Sequence, residues 1–301
     1  MDFIQSAINK ARQERRRQGD PTPSGSPAAA IHPQASAPLA SVRADDAAPT
    51  PSRAALWAGL PAITPDPRAL DRHHIHARQR GPEAAAFDIM RTKLLHQLRA
   101  HNWRRVAITS PTPHCGKTTL ALNLAFGIAR QRELGCMLLD FDLRRPSLAE
   151  MLGLQDPPQF ADVLSGAARP EDGLRRIGDN FAIGLNARAR TDSAELLQRV
   201  ETGRIVDAIE QAYAPDAMLF DMPPMMVADD ALGFIDQIDC VLLVAAAGSS
   251  SMPEIARCSD ELKARCNFLG VVLNKCRYLD KSDAYGYGYG YGQGYGPNGS
   301  L

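Results

Sequence analysis

Three clusters in this 301-residue chain have the residue types and spacing for chemistry on phosphates. The first is TSPTPHCGKTTLALNLA, where a short apolar run enters a loop ending Gly116-Lys117-Thr118 and then an amphipathic stretch. Such a loop at a helix N-terminus turns backbone N–H groups toward an anion, so Pro113, His114, Cys115, Gly116, Lys117, Thr118 and Thr119 form the candidate nucleotide-binding loop. Lys117 would reach the outer phosphates of ATP, and the Thr118 hydroxyl would ligate Mg²⁺. Pro111 stands where such loops commonly have their first glycine, and His114 where a second is frequent. The Cys115 side chain is expected to point outward, and nothing in the sequence supplies the histidine–acid pair that nucleophilic catalysis would need.

The second cluster is MLLDFDLRRP. Side chains of a strand alternate with period two, which places Asp140 and Asp142 on one side. A carboxylate pair beside a bound triphosphate can hold Mg²⁺ and accept a proton from an incoming hydroxyl, the two requirements of phosphoryl transfer to an alcohol or phenol. Arg144 and Arg145 follow directly. In the third cluster, MLFDMPP, Asp221 is placed to orient water in the Mg²⁺ shell, and Pro223 and Pro224 end the strand there. The candidate catalytic residues are therefore Lys117, Asp140 and Asp142, and the candidate Mg²⁺ ligands are Thr118, Asp142 and, through water, Asp221.

A fourth feature is the tail YGYGYGYGQGYG, with six of the seven tyrosines at positions 278 and beyond. Alternating glycine removes the stiffness that a strand needs and leaves the phenols of Tyr285, Tyr287, Tyr289, Tyr291 and Tyr295 open to solvent. The residues alone allow either a sticky low-complexity tail or a set of hydroxyl acceptors.

Elements must hold these clusters together. Apolar runs at residues 105–109, 136–140, 181–185, 217–221, 240–244 and 269–274 read as strands, and residues 84–98, 120–131 and 254–266 have helical periodicity. Nearly all-apolar strands alternating with helices predict an α/β fold: a mostly parallel central sheet covered by helices on both faces, of the P-loop NTPase kind. Ligands in such sheets sit at the C-terminal strand ends, where all three clusters fall.

Composition bounds the rest. Lys+Arg and Asp+Glu balance at 34 each, which offers no overall field for nucleic acid or anionic lipid. Apolar runs are too short to cross a bilayer and residues 1–17 lack a signal-peptide core, so a cytoplasmic protein is expected. Six cysteines without a CxxC pair suit reduced thiols. Residues 1–18 read as a short amphipathic helix, 19–82 as a Pro/Ala/Ser-rich linker, 83–278 as the folded domain and 279–301 as a disordered tail. His73, His74 and His76 have no nearby cysteine in sequence and read as solvated polar surface rather than as a metal site.

Together, SPTPHCGKTT, LLDFDLRRP, LFDMPP followed by DDALGFIDQIDCVLLV, then GVVLNK and a terminal tyrosine cluster resemble the bacterial tyrosine kinases (BY-kinases) of polysaccharide export, from residue 83 onward. The resemblance makes the three clusters Walker A, Walker A′ and Walker B. It implies an ATP- and Mg²⁺-dependent tyrosine autokinase whose acceptors are the five tail tyrosines, with Asp140 as base or metal carboxylate and Asn274 as the residue that recognises the base. It further implies a membrane polysaccharide co-polymerase adaptor and a tyrosine phosphatase as partners, a homo-oligomer, and a site at the inner face of the plasma membrane reached through the adaptor. The chain is similar to the free-standing form that borrows its anchor. Where the family has Glu-x-x-Arg-x-x-Arg, used in ring formation, this chain has Ala85, Asp88 and Arg91. Two other readings fit the P-loop fold: a partition or division-site ATPase switch, whose early P-loop lysine is Thr112 here, and a catalytically dead nucleotide-binding adaptor.

Overall fold

Strands buried along nearly their whole length fix the centre of the molecule. The sheet contains β1 (Arg105–Thr109), β2 (Cys136–Asp140), β3 (Leu174–Ile177), β4 (Phe181–Gly184), β5 (Ala217–Asp221), β6 (Cys240–Ala246) and β7 (Asn267–Asn274) in the order β3-β4-β2-β5-β1-β6-β7. Every pairing is parallel except that of β3 with β4. The computed structural model describes residues 52–227 and 230–276, all within one unit of the chain. The expected N-terminal helix at 1–18, the part of the linker before residue 52 and the tail with its five candidate acceptors lie outside the described residues.

Sequence explains the layering. β2, β5 and β6 carry buried side chains on both faces, so helices must cover both. On one face lie α3 (Ala85–His101), through Leu94, Leu95 and Leu98, and α4 (Lys117–Ala129), through Leu120, Leu122, Leu124 and Ile128; α1 and α2 are the earlier helices Arg53–Gly59 and Pro67–Arg72. On the opposite face α5 (Val200–Tyr213) packs Val206, Ile209 and Tyr213, and α6 (Met252–Lys263) packs Cys258 and Leu262. The mostly parallel sheet with helices on both faces matches the fold class expected from sequence. The one strand that escaped the periodicity, β3, is a short edge strand whose Arg175 and Arg176 break the apolar run.

The domain boundary needs correction. Residues 52–82 are not linker, and the folded body does not begin at 83. Trp57 and Leu60 enter the core on one face of the sheet, while Leu70 and Ile75 enter the core on the other. Between them residues 61–63 run along the sheet edge: the Arg176 N–H donates to the Pro61 carbonyl at 3.0 Å, and the Ile63 N–H donates to the Arg176 carbonyl at 2.9 Å. A strap that crosses an edge buries single residues at irregular intervals, which leaves no period to read among its Pro and Ala residues. Its far end is fixed by Asn123, fully buried on α4. Asn123 Oδ1 accepts from the His76 and Ala77 N–H groups, both at 2.9 Å, and Nδ2 donates to the His74 and Thr119 carbonyls at 3.0 and 2.9 Å.

Among the described residues, no helix is long and apolar enough to cross a membrane. The strap generates a stability prediction. Trp57 is 5% exposed, stands edge-on to Tyr213 and donates from Nε1 to the Tyr213 carbonyl at 2.8 Å. Trp57→Ala is expected to cost about 3 kcal/mol in denaturant unfolding of the full chain. A midpoint and slope equal to those of the unsubstituted protein would show that the strap is not part of the fold.

Candidate active site

Strand register brings the clusters together. Asp221 lies opposite Ile108 on β1 and opposite Asp140 on β2, so two carboxylates and the loop that follows β1 meet at one end of the sheet. That end is laced shut from behind. Thr109 Oγ1 donates to the Pro223 carbonyl at 2.7 Å, and the Met225 and Met226 N–H groups donate to the Ser110 and Pro111 carbonyls at 2.9 and 3.0 Å. The loop then turns into α4 through two left-handed residues, His114 (φ 62°) and Gly116 (φ 90°). Glycine is required at 116, because a Cβ there would meet Asn274 Nδ2 at 2.2 Å. His114, at the position where the sequence showed a missing glycine, adopts the conformation that glycine takes freely.

Lys117 opens α4 with its side chain buried among acids. Its Nζ lies 2.8 Å from Asp142 Oδ2 and 3.3 Å from Asp221 Oδ1, and Thr118 Oγ1 donates to Asp221 Oδ2 at 2.7 Å. Burial alone would lower the Lys117 pKa, but the charges of Asp221 and then Asp142 outweigh it and hold the ammonium above its ordinary value. Asp221 is pushed up, first by its own burial. Asp140 is raised furthest, by burial and then by the neighbouring charges of Asp221 and Asp142. It is fully buried, and neither of its carboxylate oxygens makes a hydrogen bond of ordinary geometry. An orphaned buried carboxylate is costly unless a cation or donor completes it. Asp140, Asp142, Asp221 and Thr118 offer only hard oxygen donors, which fits Mg²⁺. That ion binds through one or two carboxylates, waters and substrate phosphates rather than an all-protein cage; among the described residues no three His, Cys, Asp or Glu side chains form such a cage.

A cleft of about 900 Å³ opens on this cluster. Pro113, His114, Gly116, Lys117, Thr118, Thr119, Asp142 and Asn274 line it. Asn274, the last residue of β7, donates from Nδ2 to the Cys115 carbonyl at 2.9 Å, which ties the end of the sheet to the loop. Two sequence expectations are corrected. Cys115 does not point outward: it is buried, does not line the cleft, and its thiol sits by the Thr112 carbonyl at 3.2 Å and Ser250 Oγ at 3.5 Å. His73, His74 and His76 are not generic surface; with Arg72 and Phe87 they form a wall of the cleft. Sequence missed that wall because the strap positions it through Asn123, a contact that no local pattern reveals. Arg144 reaches away from Asp142 to clasp the fully buried Asp230 with two hydrogen bonds, 2.8 and 2.9 Å, and Ser193 also donates to Asp230. Arg91 is engaged within the subunit, donating to Asp88 at 2.9 Å and to the Gly127 carbonyl at 3.1 Å.

No protein-family model matches the chain. It is 28% identical over 185 residues to the tyrosine-protein kinase CpsD of Streptococcus pneumoniae, covering 60% of this chain and 79% of that one. It is 29% identical over 186 residues to the tyrosine-protein kinase YwqD of Bacillus subtilis, covering 61% and 77%. Among solved structures, the kinase domain of the Escherichia coli tyrosine kinase ETK matches with a TM-score of 0.59 at 22% identity, over 77% of this chain and 94% of that one. The VpsO kinase domain matches with a TM-score of 0.57 at 22% identity, over 64% and 96%. The structural likenesses establish a shared fold.

The buried carboxylates set a pH-dependent stability. A folded-state pKa above the unfolded value means that the native state binds more protons, so the stability of the ligand-free protein falls as pH rises past the ordinary aspartate range near about 4. Asp140→Asn removes the least compensated of these charges. It is expected to raise ligand-free stability at pH 7 by about 1–3 kcal/mol, with the gain vanishing toward pH 4, where the aspartate is already protonated. Thermal melts across that range check it; a loss of stability at pH 7 would contradict the assignment of Asp140 as an uncompensated acid.

Proposed function

As a relative of the bacterial tyrosine-protein kinases that shares their P-loop fold, this chain is, we propose, an ATP- and Mg²⁺-dependent autokinase that phosphorylates its own C-terminal tyrosines. The supporting observation is the convergence of Lys117, Thr118, Asp140, Asp142 and Asp221 at the mouth of a helix N-terminus. A nucleotide phosphate entering the cleft meets the free N–H groups of the first turn of α4 and the Lys117 ammonium. Lys117 then exchanges Asp142 and Asp221 for phosphate oxygens, and its charge opposes the negative charge that grows on the transferring group. Mg²⁺, held by Thr118, Asp142 and Asp221, would supply further neutralisation of the phosphates. Asp140, whose carboxylate oxygens make no hydrogen bond of ordinary geometry and whose pKa is raised by burial and then by the Asp221 charge, is in this reading the base that takes the phenol proton. Asn274 closes the cleft at the end of β7 and would contact the base of the nucleotide.

The acceptors in this reading are Tyr285, Tyr287, Tyr289, Tyr291 and Tyr295, and glycine beside each lets several of them enter the site in turn. The reading places the chain in control of exopolysaccharide synthesis and export, at the inner face of the membrane, with a polysaccharide co-polymerase adaptor as activator and a tyrosine phosphatase as antagonist. Homo-oligomerisation would be weak without the adaptor: Asp88 is committed within its own subunit to Arg91 and Arg130, each at 2.9 Å.

Intact-mass measurement after incubation with ATP and Mg²⁺ tests the activity. Wild type is expected to gain mass in phosphate steps, Lys117→Met none, and Asp140→Asn to bind nucleotide with little or no turnover. Phosphate uptake by Lys117→Met equal to wild type would sink the site assignment. Replacing the five tail tyrosines together by Phe keeps the aromatic surface and removes only the hydroxyls. That variant is expected to lose most phosphate uptake while binding ATP normally; unchanged uptake would move the acceptors elsewhere.

A further inference from the structure

A second cavity, of about 460 Å³, is lined by four arginines, Arg78, Arg80, Arg91 and Arg130, with Gln79 and Gln131. Their charges are only half matched. Arg78 pairs with Asp71, and Arg91 and Arg130 share the one carboxylate of Asp88. Arg80 is exposed and makes no hydrogen bond or ion pair among the described residues, and Arg91 Nε is buried without a partner. Backbone carbonyls fix the other guanidinium groups: Arg91 Nη1 donates to the Gly127 carbonyl at 3.1 Å, and Arg130 Nη1 donates to the Ala77 and Gln79 carbonyls, both at 3.4 Å. Four like charges held around one cavity repel one another, and a multiply charged anion relieves that repulsion. The planar fork of a guanidinium matches phosphate oxygens in pairs, which makes the natural class of ligand a phosphate monoester.

This cavity is joined to the catalytic cleft by a single segment. Arg72, His73, His74 and His76 line the cleft, Arg78 and Arg80 line the basic cavity, and Asn123 clamps the residues between them to the helix that begins with Lys117. We propose that the four-arginine cavity binds phosphotyrosine of the kind that autophosphorylation would place on Tyr285–Tyr295, and thereby reports the phosphorylation state of the tail to the nucleotide cleft. The source of the ligand rests on the kinase reading; the cavity's chemistry does not. A tyrosine phosphate carries a charge of about −1.5 to −2 and three acceptor oxygens, enough to engage the exposed Arg80 guanidinium together with Arg78. Asp88 is the internal competitor, since it occupies the Arg91 and Arg130 groups that a phosphate would otherwise take.

Binding is tested with the full-length, phosphatase-treated chain and a fluorescent synthetic peptide of residues 284–292 carrying phosphotyrosine at positions 287 and 289. Saturable binding is expected, weakened about tenfold or more by Arg80→Gln combined with Arg78→Gln, and shifted in affinity but not competed away by ATP at a concentration that fills the cleft, because a site that reports to the cleft must feel its ligand in return. Arg80→Gln alone, at an exposed side chain, is expected to weaken it in the same direction with the fold intact. Asp88→Asn, which releases Arg91 and Arg130, is expected to tighten it. Equal binding of the unphosphorylated peptide, no change in the arginine variants, complete displacement by ATP, or an affinity that ATP leaves unchanged overturns the proposal; displacement by inorganic phosphate at the peptide's own concentration makes the cavity a free-phosphate site and also overturns it. Because the peptide is synthetic, loss of autophosphorylation with binding retained counts against the kinase reading alone, and autophosphorylation with no binding counts against this one.

Discussion

The ammonium group of Lys117 is the charge on which the end of the sheet depends. Three acids, two of them wholly buried, meet within a few ångströms, and bringing such charges out of water costs several kcal/mol per ion unless each is compensated. Lys117 compensates Asp142 and Asp221 directly; Asp140 is left over. The imbalance is informative, because an ion pair built for stability would be matched. A set of three carboxylates around one ammonium is stable only with further cations or protons, and both belong to phosphoryl transfer.

The same charge cluster explains why the surrounding segments are tied so closely to one another. The residues after β5 hydrogen-bond to the phosphate loop, Asn274 bonds to that loop from the far side, and Asn123 joins the strap to the first turn of α4. Each tie is a polar contact, most of them partly buried, made by a side chain or amide with a specified partner. Such contacts hold a loop at fixed spacing where apolar packing would tolerate slippage. The loop can then keep His114 and Gly116 in left-handed conformations without collapsing onto the lysine.

Much of the fold was legible in the sequence, because parallel strands buried on both faces must be apolar throughout, and those runs are hard to mistake. The boundaries of β1, β2 and β5 coincide with the apolar runs for that reason, and so does the meeting of Lys117, Asp140, Asp142 and Asp221, which follows from strand order once the runs are placed. What failed was everything fixed by contacts distant in sequence. Trp57 and Ile75 sit in a stretch whose composition suits a linker, and the edge of β3, Tyr213 and the side chain of Asn123, all distant in sequence, give that stretch its structure. The histidine wall of the cleft and the inward turn of Cys115 belong to the same category. Local pattern reports periodicity, and a strap or a loop has none.

The position of β7 carries the last step. Its final residue, Asn274, touches the phosphate loop, so the chain leaves the described structure beside the nucleotide cleft rather than at a remote surface. Tyr285 follows about ten residues later, within roughly 35 Å of extended chain, and Tyr295 about ten residues beyond that. On the autokinase reading proposed above, chain of that length lets a tyrosine reach the cleft it leaves or that of an adjacent copy. For acceptors tethered in the way that reading requires, the local concentration of hydroxyls at the cleft is set by tether length rather than by binding affinity. On the same reading, a glycine between tyrosines suits the task better than a specific docking sequence, because it offers several hydroxyls to one geometry.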